Sequence, residues 1–266
     1  MAYGAGGDPT HSWNAWIGAR AHDLSVSVLF CTRLPLAHSR PFADGEIARA
    51  VWAFPLAGFV VGVIGAVIYV VATRAGVPPW PAAALAVAAT LGVTGALHED
   101  GLADTADGFG GGTTREDKLA IMRDSRIGTY GVCALILSFI IRVGALASLA
   151  DPAAVAAALI GAHAAARAVL PLLMFFLPPA RSDGLSHAAG APTRENAAAG
   201  AVLGFLILIG CIGFAPAAVT AIVLAIVLAI IARLSAAQIG GQTGDVCGAL
   251  EQVGEIAVLV VASTAG

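Results

Sequence analysis

The sequence predicts an all-α, polytopic integral membrane protein, and three observations carry that prediction. Of its 266 residues, 58% are hydrophobic and only 12% are charged, too apolar a balance for a soluble domain. Aromatic residues make up only 6% while Ala, Val, Leu, Ile and Gly dominate, which suits helices packed closely in lipid better than a water-filled barrel. Seven apolar stretches, separated by Pro, Gly and charged residues, approach the roughly 20 residues that a hydrocarbon core of about 30 Å demands.

Taken in order, residues 1–19 read as a cytoplasmic lead-in, since Gly, Asp and His precede any hydrophobic run and the basic start of a cleaved signal peptide is missing. Segment 13–36 is apolar but interrupted by Arg20, His22, Asp23, Arg33 and Pro35, a pattern that predicts an interfacial or re-entrant helix. About seven transmembrane helices follow, over 47–73, 80–99, 128–150, 153–178, 197–214, 216–234 and 246–262. Gly58, Gly62 and Gly65 permit close helix contact. The whole chain, 1–266, is expected to form one membrane domain, with active-site loops near 98–131, 179–196 and 235–248.

If the 47–73 helix runs outward, Arg20, Arg33, Arg40, Arg49, Arg115, Lys118, Arg123, Arg126, Arg181, Arg194 and Arg233 share one side and Arg74 takes the other. That asymmetry predicts that the long loops face the cytoplasm. The net charge of -3 and the lack of a basic run exclude a nucleic-acid partner. Cys31, Cys133, Cys211 and Cys247 lie far apart, without zinc-ligand or disulfide spacing, and read as apolar fillers.

The informative stretch runs from His98 to Gly108 and holds four acids within nine residues: Glu99, Asp100, Asp104 and Asp107. Residues three and four apart share a helical face, so Asp100, Asp104 and Asp107 are expected to project together, with Glu99 aside. Like charges so stacked destabilise a helix unless a cation joins them. Hard carboxylate oxygens with no nearby Cys or His cluster favour Mg²⁺, with Mn²⁺ as the alternative. Downstream, Arg123, Asp124 and Arg126 bring guanidinium forks suited to phosphate oxygens. Gly240, Gly241, Gln242, Thr243, Gly244 and Asp245 open the last helix, a Gly-rich anion-binding pattern. Asp245 is left between metal ligand and helix cap. Glu251 and Glu255 lie further along that helix, with Arg142 and Arg167 read either as partners of Glu255 or as residues facing the cavity. His163 and His187 lack ligand-like company in the sequence.

With these residues in view, the chain resembles the cobalamin synthase family. The resemblance rests on Thr32-Arg33-Leu34-Pro35, Phe54-Pro55-Leu56-Ala57-Gly58, His98 to Gly108, Ile121 to Gly131 and Gly240 to Gly248, and it covers most of the chain. It implies a transferase of the prokaryotic inner membrane, with its site facing the cytoplasm. Adenosylcobinamide-GDP would react with a hydroxyl of α-ribazole or its 5′-phosphate, forming adenosylcobalamin (5′-phosphate) and releasing GMP. On this reading Asp104 and Asp107 are catalytic, and Asp100, Asp104, Asp107, Glu99 and Asp124 hold the metal. Arg33, Arg123, Arg126, Arg181, Gln242, Thr243 and Asp245 bind substrate. Monomer and homodimer both stay open.

Competing readings are a CDP-alcohol-type phosphotransferase, a membrane prenyltransferase and a cation transporter. Ala103-Asp104 departs from the first group's Ala-Arg pattern, and Asp183 and Asp245 are solitary where the second needs another acidic motif. Acids gathered at one mouth beside a basic loop argue against a through-pathway.

Overall fold

The computed structural model describes residues 9–36 and 41–264, and among these every regular element is a helix. The proposed lead-in over residues 1–8, and Arg40, lie outside that range. Residues 9–19 of the expected lead-in belong to helix α1 (Pro9–Cys31). Pro9 suits a first turn, where its missing N–H has no partner to lose. α1 is anchored by polar contacts around its Asp23, which accepts from Trp52 Nε1 at 3.0 Å and pairs with Arg20 at 3.2 Å.

Helix α2 (Glu46–Ala50) leads through a 3-10 turn into α3 (Phe54–Arg74), and α4 (Pro79–Thr94) returns antiparallel to it. The expected span over 80–99 does not run straight through. It breaks after Thr94, and α5 (Leu97–Gly111), which carries the acids, leaves α4 at 90°. Gly95 and Ala96 both sit in the left-handed region, at φ 64° and 58°. Holding a non-glycine such as Ala96 there costs about 1–2 kcal/mol, and hydropathy gives no sign of it because Ala is apolar in either conformation.

α6 (Arg115–Ile121) is a surface helix opened by a Thr114–Asp117 capping box. Then follow α7 (Thr129–Leu149), α8 (Pro152–Ala168) with Asp151 capping Ala154 N–H, α9 (Leu170–Phe176) and the short α10 (Gly184–Ala189). α11 (Arg194–Ile212), α12 (Phe214–Ile239) and α13 (Gly244–Thr264) complete the bundle. Among the described residues, six helical segments are long and apolar enough to cross a membrane, and the bent α4–α5 pair makes a seventh if counted as one span. The chain is therefore a polytopic α-helical membrane protein.

Two glycine seams set the helix packing. A Cβ at Gly62 would fall 2.6 Å from Ile160 Cα, and one at Gly58 would run into the His163 carbonyl, so α3 and α8 meet backbone to backbone. Small residues at such seams let helices gain close van der Waals contact where lipid supplies no hydrophobic drive. The second seam decides the site: Gly101 on α5 lies against Asp245 and Gly248 on α13, where an added Cβ would be 2.7 Å from Asp245 O. The acidic helix is thus pinned across the first turn of the last one.

At one end of the bundle the longer loops are laced together. Arg115 donates to Ile239 O at 2.7 Å and Ala180 O at 2.6 Å, and Ala180 N–H donates to Gln242 O at 2.7 Å. At the other end only tight links occur, where Tyr69 Oη donates to Ala150 O at 3.3 Å.

Candidate active site

A cavity of about 470 Å³ opens between α4, α5, α7 and the 122–127 loop, with Glu99, Asp100, Asp104, Arg123, Asp124 and Ser125 contributing its polar wall. Leu91, Ile127, Leu135 and Phe139 supply an apolar side. Asp100 is exposed and Asp104 half-buried, one helical turn apart on the same face of α5. Two of the three expected aspartates therefore share the hollow.

Asp107 is turned elsewhere. Its two carboxylate oxygens accept from Gly128 N–H at 2.7 Å and Gly131 N–H at 2.9 Å, so the buried side chain satisfies the first turn of α7 from outside that helix. Any Cβ at Gly128 or Gly131 would strike the Asp107 carboxylate. This geometry corrects the expectation of three aspartates along one open edge: residue 107 shares the helical stripe, but α7 has claimed it. Asp107→Asn, with one acceptor oxygen instead of two, is expected to cost stability on the scale of a lost helix cap, about 0.5–2 kcal/mol. Thermal unfolding in detergent measures that cost, and turnover should suffer far less than with Asp104→Asn.

Glu99 lines the same cavity yet is only 5% exposed, because it also faces the interior. There Arg142, fully buried, donates to Glu99 Oε1 at 3.1 Å and to Glu255 Oε1 at 3.3 Å. Glu99 Oε2 is buried without a hydrogen-bond partner. Beside this pair, Arg167 lies 2.5 Å from Glu251 in an ion pair not aligned as a hydrogen bond, and 3.3 Å from His98 Nδ1. His163 Nδ1 is 3.3 Å from Glu255. Sequence reading named Arg142 and Arg167 as partners for Glu255 but omitted His163. The available signal was spacing, since His163 with Arg167 and Glu251 with Glu255 are each four apart, one pair on α8 and the other on α13.

The basic residues divide. Arg123 and Asp124 reach the lip of the acid cavity. Asp124 accepts from Arg126 at 2.6 Å, and that guanidinium holds its carboxyl below the usual range. Arg126 itself is 87% exposed and borders a neighbouring cavity with Asp107 and Tyr130. Arg181, on the loop after α9, donates to Asp245 at 3.3 Å. Arg33 is not brought to this hollow: it lies against Gly95 and lines a separate cavity with Phe42 and Leu185. Gln242 and Thr243 are buried. Gln242 Oε1 accepts from Ser186 at 2.5 Å, and Thr243 Oγ1 accepts from Val246 N–H at 3.3 Å. Thr243, not Asp245, caps the first turn of α13.

Comparison with known proteins accords with this arrangement. The family model described as cobalamin-5-phosphate synthase matches residues 23–263. A relative named adenosylcobinamide-GDP ribazoletransferase from Bradyrhizobium diazoefficiens is 56% identical over 91% of this chain and 93% of its own length. Relatives of the same name from Mesorhizobium japonicum and Ralstonia nicotianae are 54% and 41% identical, over 91% and 90% of this chain and 93% of each relative. No solved structure matches the chain. With the match spanning every membrane helix and both walls of the cavity, the chain belongs to the cobalamin-5-phosphate synthase family.

Proposed function

We propose that this protein transfers the adenosylcobinamide phosphate group of adenosylcobinamide-GDP to α-ribazole or its 5′-phosphate, releasing GMP. The family and the names of its relatives support the reaction. The observation that carries the chemistry is the single cavity that Asp100, Asp104 and Arg123 line together. Its mixed lining also suits a substrate that joins a charged diphosphate to a large, partly apolar ring system.

In the proposed step, the acceptor hydroxyl oxygen forms a bond to the phosphorus nearest cobinamide, and the bond from that phosphorus to the oxygen bridging to GMP breaks. The Asp104 carboxylate takes the hydroxyl proton, and GMP leaves with the bond's electron pair. Asp104 is preferred to Asp107 as the base because both Asp107 oxygens already accept backbone N–H groups. Arg123 orients the phosphate oxygens from the lip of the cavity.

The donor set fits Mg²⁺, with Mn²⁺ as an alternative. Asp100 and Asp104 offer hard oxygens, and Glu99 Oε2 is buried against the same wall with no hydrogen-bond partner. These three residues would hold the ion, whose contribution is to neutralise charge building on the diphosphate. Asp107 and Asp124 are assigned other work, at the start of α7 and beside Arg126. Orientation in a prokaryotic inner membrane with the cavity towards the cytoplasm is supported by Arg115, Arg123, Arg126, Arg181 and Arg194 in or beside the laced loops, against Arg74 at the opposite end.

The decisive assay follows GMP release from adenosylcobinamide-GDP and α-ribazole by the purified protein in nanodiscs. Release should stop on chelation with EDTA and return with Mg²⁺. Turnover that ignores EDTA would remove the metal from the reading, and no GMP under any condition would remove the reaction.

A further inference from the structure

The basic lip of the cavity is already occupied by the chain's own anion. Asp183, exposed at the start of the short α10, receives both of its short contacts from one guanidinium: Arg123 Nη2 lies 2.8 Å from each carboxylate oxygen. Arg181, two residues earlier on Asp183's own loop, approaches the same carboxylate, its Nε 3.4 Å from Oδ1. Two guanidiniums from segments almost 60 residues apart in sequence thus converge on one oxyanion.

Arg181 is the more firmly seated of the two. Its side chain is only 13% exposed, Asp245 accepts from Nη2, and Gly184, at φ 85°, packs against the guanidinium so closely that a Cβ there would lie 3.1 Å from Nη2. Yet its Nη1 is buried with no hydrogen-bond partner. Arg181 therefore has donor capacity that Asp183 does not use. The hydrogen bonds from Arg123 lower the Asp183 carboxyl from its ordinary value.

A planar carboxylate bridging two forks occupies the place that a tetrahedral phosphate would fill with more oxygens and more charge. We propose that Arg123 and Arg181 form a two-guanidinium seat for a phosphate of the diphosphate substrate, and that Asp183 is its internal placeholder, displaced when substrate binds. Asp183 is thereby a residue that weakens binding. The proposal rests on the reaction proposed above, but it is tested without turnover.

The probe is inorganic diphosphate, titrated calorimetrically into the full-length protein in nanodiscs with EDTA present. Removing the competing carboxylate in Asp183→Asn, or in Asp183→Ser, which keeps a residue suited to a helix start, should tighten diphosphate by about two- to fivefold, the equivalent of an exposed ion pair. Arg181→Met should weaken it, and in the Asp183→Asn/Arg181→Met double variant the gain should vanish. A merely structural Asp183 would move affinity the other way or not at all. Unchanged or weaker binding in both Asp183 variants, or failure of both to fold, overturns the placeholder. If the wild type takes diphosphate as described but releases no GMP, the seat stands and the reaction falls. If GMP is released and binding ignores Asp183, the reverse holds.

Discussion

Arg142→Met is expected to destabilise the protein by about 3–5 kcal/mol, the usual consequence of removing one partner from a buried charge group. Arg142 is fully buried and spans Glu99 on α5 and Glu255 on α13, so its loss strands two carboxylates in the interior. The methionine fills much of the volume, which confines the effect to charge. Neutralising one of the stranded acids tests that cause: the Arg142→Met/Glu255→Gln double variant should recover part of the stability. Thermal unfolding in detergent supplies the measurement, and a double variant no more stable than the single would point to packing instead. Because Glu99 also lines the acid cavity, the same arginine ties the stability of the bundle to the attitude of the site.

Asp104→Asn is the substitution expected to cost most in turnover, about 10²–10⁴-fold for loss of a positioned proton acceptor, in a protein that remains folded. Asparagine matches the shape of aspartate but neither accepts a proton nor carries the charge that a hard cation requires. Asp100→Asn should act chiefly on metal dependence, raising the Mg²⁺ concentration at which GMP release is half-maximal. Near-wild-type GMP release from Asp104→Asn, at any Mg²⁺ concentration, would exclude Asp104 as the base.

Much of this protein follows from local pattern. Helix starts are written in short-range chemistry, in Pro79 and Pro152 in first turns, and in Thr114, Asp151 and Thr193 as caps. The Gly58 and Gly62 seam was legible for the same reason, since residues four apart on a helix must share a face. The acids of α5 announced themselves because charge in an apolar chain needs a cause.

Other features depend on partners remote in sequence. Asp107 lies on the stripe that Asp100 and Asp104 define, and nothing local says that α7 will dock its unpaired N–H groups there. Asp183 looked solitary because Arg123 stands 60 positions away, and the ring of Glu99, Arg142, Arg167, Glu251 and Glu255 is assembled from four helices.

Composition and periodicity by themselves determined that the chain is a membrane helical bundle with an acidic, phosphate-directed mouth, because hydropathy and helical spacing are properties of neighbouring residues. The tertiary structure alone decided which acids face that mouth and which serve the frame. A left-handed turn at Gly95 and Ala96 swings α5 through 90° against α13, and a side chain's role is set by what its helix is turned to face.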